Sequence, residues 1–226
     1  MKGLYLVTDR DLCGSNTLED VVLWAVRGDA SYVQIREKNL TTREFIEEAR
    51  IIKKILAPFA VPLIINDRID VALAVGAEGV HVGQDDMPYE TARALMGPHA
   101  IIGLSVETWE DVEEAEKLDC DYLGVSPVFE TPTKTDTKGA WGLEGLTKIR
   151  AYSRHSLVAI GGINMTNAGE VVRAGADCIA VVSAICAAPD PGMASRQLVD
   201  IIDKFVKSRI SPPLSGGDKG EGDISD

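Results

Sequence analysis

The sequence predicts an α/β protein folded as a single-domain (β/α)8 TIM barrel, and three observations lead there. Eight short apolar runs alternate with eight longer stretches of helical pattern. Strands separated by helices pair in parallel through right-handed crossovers, and eight such units within about 207 residues match a compact closed barrel. The third observation concerns the turn after the first apolar run. A doubly wound open sheet would carry a glycine fingerprint there, whereas this chain reads VTDRD.

Taken in order, Gly3 to Thr8 is the first strand, followed by a helix over about residues 17–28, with Thr17 as its cap and Glu19 and Asp20 in its first turn. Ser31 to Ile35 is the second strand, interrupted by Arg36-Glu37-Lys38, and Thr41/Thr42 opens a helix running to about Leu56. The stretch Pro62 to Pro88 holds two complete units. PLII breaks at Asn66-Asp67 before a helix, and GVHV breaks at Gly83-Gln84-Asp85-Asp86 before a helix over 89–96. Strands at 101–104 and 122–125 follow, the first with its helix at 108–118. The longest irregular stretch, 126–142, precedes a helix over 143–153. Strands at 157–160 and 179–182, with helices at 166–174 and 193–206, complete the pattern. Gly76 and Gly175 read as C-cap glycines in tight helix-to-strand returns. The segment from Lys207 to Asp226 gains Pro, Gly and Asp and loses periodicity, so 208–226 is expected to be a disordered acidic tail beyond a catalytic domain over 1–207.

Composition narrows the function classes. At 226 residues and 45% hydrophobic, the chain can bury one substantial core. A net charge of −12 argues against nucleic acid and anionic membrane as partners. No apolar run reaches the roughly 18 residues of a membrane span, and the apolar run at the amino terminus is too short for a signal segment. A soluble, cytoplasmic protein acting on small molecules is the expectation, with the oligomeric state open and a homo-oligomer among the options. Cys13, Cys120, Cys178 and Cys186 form no CxxC pair and read as small buried hydrophobes.

In a barrel of this kind the site lies at the carboxyl ends of the strands. What those ends deliver is Gln34, Arg36 and Lys38; Asn66 and Asp67; Asp85 and Asp86; Ser105; Thr131, Thr133 and Lys134; Gly161 and Gly162; and Val182 and Ser183. Neighbouring parallel strands lie about 4.8 Å apart, so Asp67 and Asp86 would face each other and call for a cation or a proton between them. Oxygen ligands this few favour magnesium completed by water and a substrate phosphate. Taken singly, each aspartate could equally cap the helix it precedes. Gly161-Gly162 with Ser183 leaves backbone amides that suit a phosphate monoester. Two anion sites are implied, one cationic and metal-bearing, the other built from backbone. His81 sits within a strand, facing either way, and His99 and His155 fall at the opposite end; none is expected to be catalytic.

These residues resemble the thiamine-phosphate synthase family. The likeness runs through YLVTD (Tyr5 to Asp9), QIREK (Gln34 to Lys38), the Pro62 to Pro88 stretch, GLSVET (Gly103 to Thr108), DYLGVSPVFETPTKTD, VAIGGI (Val158 to Ile163) and AVVSAI (Ala180 to Ile185). It covers all eight strands. The resemblance implies a transferase that joins an aminopyrimidine methyl diphosphate to a thiazole phosphate, giving thiamine phosphate and pyrophosphate. It further implies that Gln34, Ile35, Arg36, Glu37, Lys38, Asn66, Ser105 and Lys134 hold the pyrimidine diphosphate. Arg36, Lys38, Lys134 and Ser105 would serve catalysis, and Asp67 and Asp86 would bind one Mg2+. Thr131, Pro132, Thr133, Gly162, Val182 and Ser183 would hold the thiazole phosphate. Ser126 stands where many relatives carry glycine, which would narrow that part of the pocket. The rivals are a thiazole tautomerase on the same barrel and a catalytically silent thiamine-phosphate sensor.

Overall fold

The computed structural model describes residues 1–131 and 139–210. Its strands are β1 (Gly3–Val7), β2 (Tyr32–Ile35), β3 (Leu63–Asn66), β4 (Gly79–Val82), β5 (Ile101–Val106), β6 (Tyr122–Val125), β7 (Ser156–Ala159) and β8 (Cys178–Val181). They form one closed barrel in sequence order, every pair parallel, with β8 returning to β1 through Leu4↔Ile179 and Tyr5↔Ala180. Around it lie α1 (Leu18–Arg27), α2 (Thr42–Leu56), α3 (Ile69–Val75), α4 (Tyr89–Met96), α5 (Trp109–Ala115), α6 (Gly142–Tyr152), α7 (Ala168–Arg173), α8 (Ser183–Cys186) and α9 (Pro191–Ile210).

Helix starts follow local chemistry. The Thr17 side chain accepts from the Asp20 amide, while Thr41 with Glu44 and Thr108 with Asp111 form reciprocal capping boxes. Gly76 ends α3 at φ +62°, the left-handed conformation that glycine adopts without penalty.

Strand alternation divides the core in two. Leu4, Leu6, Leu63, Ile65, Leu123, Val125, Leu157 and Ile179 pack outward against the helices. Tyr5, Val7, Ile64, Tyr122, Val158, Cys178 and Ala180 pack together inside the barrel. The rings of Tyr122 and His81 need missing side chains, on the neighbouring strand β5 for Tyr122 and two strands away on β6 for His81. A Cβ on Gly103 would lie 2.0 Å from the Tyr122 ring, and one on Gly124 would lie 2.8 Å from the His81 ring. All four cysteines are buried and free, as expected of small core residues.

Beyond shifts at element ends, such as the strand read at 101–104 that runs to Val106, two details differ from the sequence reading. The four-residue α8 was not expected, because a single turn has no periodicity to detect. α9 runs from Pro191 to Ile210 rather than from 193 to 206. Asp190 caps its start by accepting from the Met193 amide at 2.8 Å. At the other end no glycine or proline intervenes before Pro212, so helix continues through the first residues assigned to the tail. Residues 211–226 lie outside the described residues.

Candidate active site

Strand β2 shows how the barrel sorts its residues. Gln34 points inward and is buried; Arg36 and Lys38, two and four residues on, keep the same side and line a cavity of about 400 Å3 at the carboxyl end of the barrel. The intervening Ile35 and Glu37 point away. Ile35 packs into the core between sheet and helices, and Glu37 pairs with Arg10 at 3.4 Å, beside the Arg10–Glu48 ion pair. The resemblance had placed both with the substrate. The side-chain alternation of a strand leaves them only their backbone for that.

Asn66, Asp67 and Asp86 line the same cavity. Neither aspartate caps a helix. α3 starts after Arg68 and α4 after Pro88, both without a side-chain cap bond. Asp67 instead adopts φ +60°, a conformation that costs a non-glycine residue on the order of 1 kcal/mol. Its amide donates to the His81 carbonyl at 2.8 Å, and its carboxylate meets Lys38 Nζ at 2.6 Å. Asp86 accepts from the Gly83 amide at 2.8 Å. Loss of surrounding water pushes the Asp86 carboxyl above its ordinary range. The Gly83 bond and Lys38 oppose that shift, and the facing Asp67 adds to it. Two carboxylates therefore share one ammonium, which is the charge pattern of a site that takes a further cation. Both offer hard oxygen donors. Among the described residues no group of three or more His, Cys, Asp or Glu is placed to hold a metal ion by itself, so a metal here would draw much of its shell from water and phosphate, as magnesium does.

The floor of the cavity was not foreseen. Gln34 Nε2 donates to Tyr5 Oη at 2.8 Å, and Tyr5 Oη lies 3.1 Å from Tyr122 Oη. Tyr122 Oη lies 2.9 Å from His81 Nδ1, and His81 Nε2 lies 2.8 Å from Ser105 Oγ. Burial pushes both phenols up, so they remain protonated. The signal available in the sequence was GVHV alternation, which puts His81 on the same side as Gly79, together with the glycines at 103 and 124 that make room for rings.

A second, smaller cavity of about 90 Å3 adjoins the first, lined by Thr131, Gly161, Gly162, Val182 and Ser183. Gly161 and Gly162 have φ +102° and +65°, and a Cβ on Gly162 would lie 2.8 Å from Phe129 Cβ. Asn167 Nδ2 holds the Gly162 carbonyl at 3.0 Å, fixing the turn. Arg36 and Ser126 line both cavities. Pro132, Thr133 and Lys134 lie outside the described residues.

Comparison with known proteins places this arrangement. The family model described as thiamine monophosphate synthase matches residues 4–185. The chain belongs to the thiamine monophosphate synthase family. A thiamine-phosphate synthase of Albidiferax ferrireducens is 58% identical over 200 residues, 88% of this chain and 91% of that protein. One from Leptospira biflexa is 55% identical over 195 residues, 84% of this chain and 93% of that one. Among solved structures, a thiamine phosphate pyrophosphorylase from Pyrococcus furiosus superposes with a TM-score of 0.83 at 41% identity, covering 90% of this chain and 96% of its own. The family match spans all eight strands, both cavities and the seam between them.

Proposed function

We propose that the chain is a thiamine-phosphate synthase working across the two joined cavities. The observation that carries this is the position of Arg36, which lines the larger cavity beside Lys38 and Asp67 and also the smaller one beside Gly162 and Ser183. A single cation at the seam suits a reaction that brings a diphosphate and a monophosphate substrate together.

In this reading the pyrimidine diphosphate occupies the larger cavity, its ring over Gln34 and Ser105 and its diphosphate toward Arg36, Lys38 and Lys134. The thiazole phosphate occupies the smaller one, its phosphate at the Gly162 turn and Ser183, with Thr131 in the lining. The bond between the pyrimidine methylene carbon and the diphosphate oxygen breaks, and its electron pair leaves with pyrophosphate. The thiazole nitrogen then gives its lone pair to the methylene carbon. Arg36, Lys38 and Lys134 neutralise charge that develops on the leaving oxygens. Asp67 and Asp86 fit a Mg2+ ion, which would supply further positive charge to the diphosphate. No step in this scheme asks for a proton shuttle.

The barrel and its closing helix form the catalytic unit, and residues 211–226 are dispensable to it. Among the described residues no helix is long and apolar enough to cross a membrane. Incubating the full chain with both substrates and Mg2+ should release pyrophosphate and form thiamine phosphate. Release of no pyrophosphate would leave a tautomerase or a sensor.

A further inference from the structure

We infer that Tyr5, Tyr122 and His81 are positioning residues: they form a one-directional hydrogen-bonded chain that fixes His81 as its Nε2–H tautomer and turns the Ser105 hydroxyl into a donor toward the substrate. The role in catalysis rests on the proposed reading of the larger cavity; the direction of the chain does not.

The direction follows from proton counting. An amide nitrogen only donates, so Tyr5 Oη accepts from Gln34 Nε2. Tyr5 then has one proton to give, and Tyr122 Oη stands 3.1 Å away. In the direction we infer, Tyr122 accepts that hydrogen bond and donates its own to His81 Nδ1 at 2.9 Å. A ring nitrogen that receives a hydrogen bond carries no proton, so in the neutral imidazole the proton sits on Nε2 and is donated to Ser105 Oγ at 2.8 Å. Ser105 Oγ, already an acceptor, is left with its own proton to offer. Because Ser105 lines the cavity, that proton serves a substrate acceptor such as a ring nitrogen or a diphosphate oxygen.

Packing holds the geometry in place. Tyr122 fills the space above Gly103, and His81 fills the space above Gly124, each too close for a Cβ. The His81 and Tyr122 rings stack with centroids 5.4 Å apart at 22°. Gln84 Nε2 grips the Ser105 carbonyl at 2.6 Å, so the far end of the chain is anchored through backbone as well. Gln34 and Ser105, two residues expected to touch the pyrimidine, are thus joined through the barrel interior by three side chains that the family resemblance did not single out.

Turned around, the same chain makes a different prediction. If an acceptor stood at the Gln34 end, every proton would reverse, and His81 would carry its proton on Nδ1 and accept from Ser105. Gln34→Glu makes that reversal with almost no change of shape, because a carboxylate only accepts. The test is imidazole 15N NMR on the full, substrate-free chain, with the His81 signals assigned by their loss in His81→Gln. The wild type should show the Nε2–H form and Gln34→Glu the Nδ1–H form. An Nδ1–H signal in the wild type, or an unchanged tautomer in Gln34→Glu, would overturn the chain whatever reaction the protein performs. The catalytic role is read separately with Tyr122→Phe, which removes one hydroxyl and keeps the ring. Its kcat should fall about 10-fold, the effect of one hydrogen bond, with KM for the thiazole phosphate unchanged. Wild-type kcat in a folded Tyr122→Phe would overturn the positioning role. Should that variant fail to fold, the NMR comparison still decides the direction.

Discussion

The two ends of the barrel use acidic residues in opposite ways. At the amino-terminal end Glu78, Asp121 and Asp177 each stand immediately before an even-numbered strand. Each accepts from a backbone amide of the preceding odd strand, Leu63 at 2.9 Å, Ile102 at 2.9 Å and Leu157 at 3.0 Å. Each also has its own cation from the helix that precedes that odd strand, Lys53 of α2 at 3.1 Å, Arg93 of α4 at 2.7 Å and Arg150 of α6 at 2.9 Å. At the carboxyl end Asp67 and Asp86 face each other, and Lys38 pairs with Asp67. The lower acids have their charges matched one for one and stitch strand to strand. The upper pair is short of positive charge, and a site short of positive charge is one that binds it.

The contrast breaks most readily at the seam. Arg36→Ala removes a cation from both cavities and should lower kcat by about 10²- to 10³-fold, the loss typical of a single group acting on developing charge. Lys134→Ala is expected to do the same. Steady-state pyrophosphate release checks both, with thermal unfolding as the control for folding. Wild-type turnover in either would sink its leaving-group assignment.

The acid pair gives the next effect. Asp67→Asn or Asp86→Asn should raise the Mg2+ concentration for half-maximal activity by at least about 10- to 100-fold, the loss seen even for partners one step removed from a metal. Because each substitution also relieves a like-charge contact, Tm should stay level or rise. A fall in Tm with unchanged Mg2+ dependence would make these acids structural, like those below.

The lower acids should behave in the converse manner. Asp177→Ala removes the partner of the Leu157 amide and of Arg150, at a cost of about 1–3 kcal/mol. For a domain of this size Tm falls by about 2–4 °C per kcal/mol. Calorimetry should show that loss while kcat stays at the wild-type value. Lost activity at full stability would erase the distinction between the two ends.

How far each feature was legible in the sequence follows from the range of the interaction that makes it. The eight strands and the helix starts at Thr17 and Thr41 are local, and periodicity and spacing revealed them; Thr108, read as the first residue of its helix, is its cap. The rim residues Arg36, Lys38, Asp67 and Asp86 were legible because a closed barrel gathers strand ends on one face. Their alternative as helix caps falls because α3 and α4 begin one and two residues later than capping by those aspartates requires. Glu37 and Ile35 were assigned with their neighbours by motif, and only side-chain alternation separates them. Tyr5, Tyr122 and His81 come from β1, β6 and β4, and their meeting depends on barrel closure and on the absent side chains of Gly103 and Gly124. No window of sequence contains that contact. The match between the lower acids and their cations is hidden for the same reason, since each joins an acid to the previous strand and to the helix before that strand.

The smallest effect is expected at the carboxyl terminus. α9 packs against α1 and α7, with Leu198 and Ile202 buried and Phe205 lying against Gly169, where a Cβ would come within 2.5 Å of its ring. The Arg173 guanidinium lies 4.3 Å from the centre of that ring, so α7 meets Phe205 at two points. Ser208 follows with a bond from its hydroxyl to the Phe205 carbonyl at 2.8 Å. Truncation after Ile210 spares every one of these contacts and removes a stretch carrying four acids and one lysine. It should leave kcat unchanged and shift stability by no more than about 0.5 kcal/mol, the usual bound for surface changes. Truncation after Lys204 deletes Phe205 and should lower Tm while sparing turnover below the transition, because α9 reaches neither cavity. Loss of activity on cutting at Ile210 would instead mean that the acidic segment reaches the rim, and would move it from the stabilising side of the comparison to the functional one.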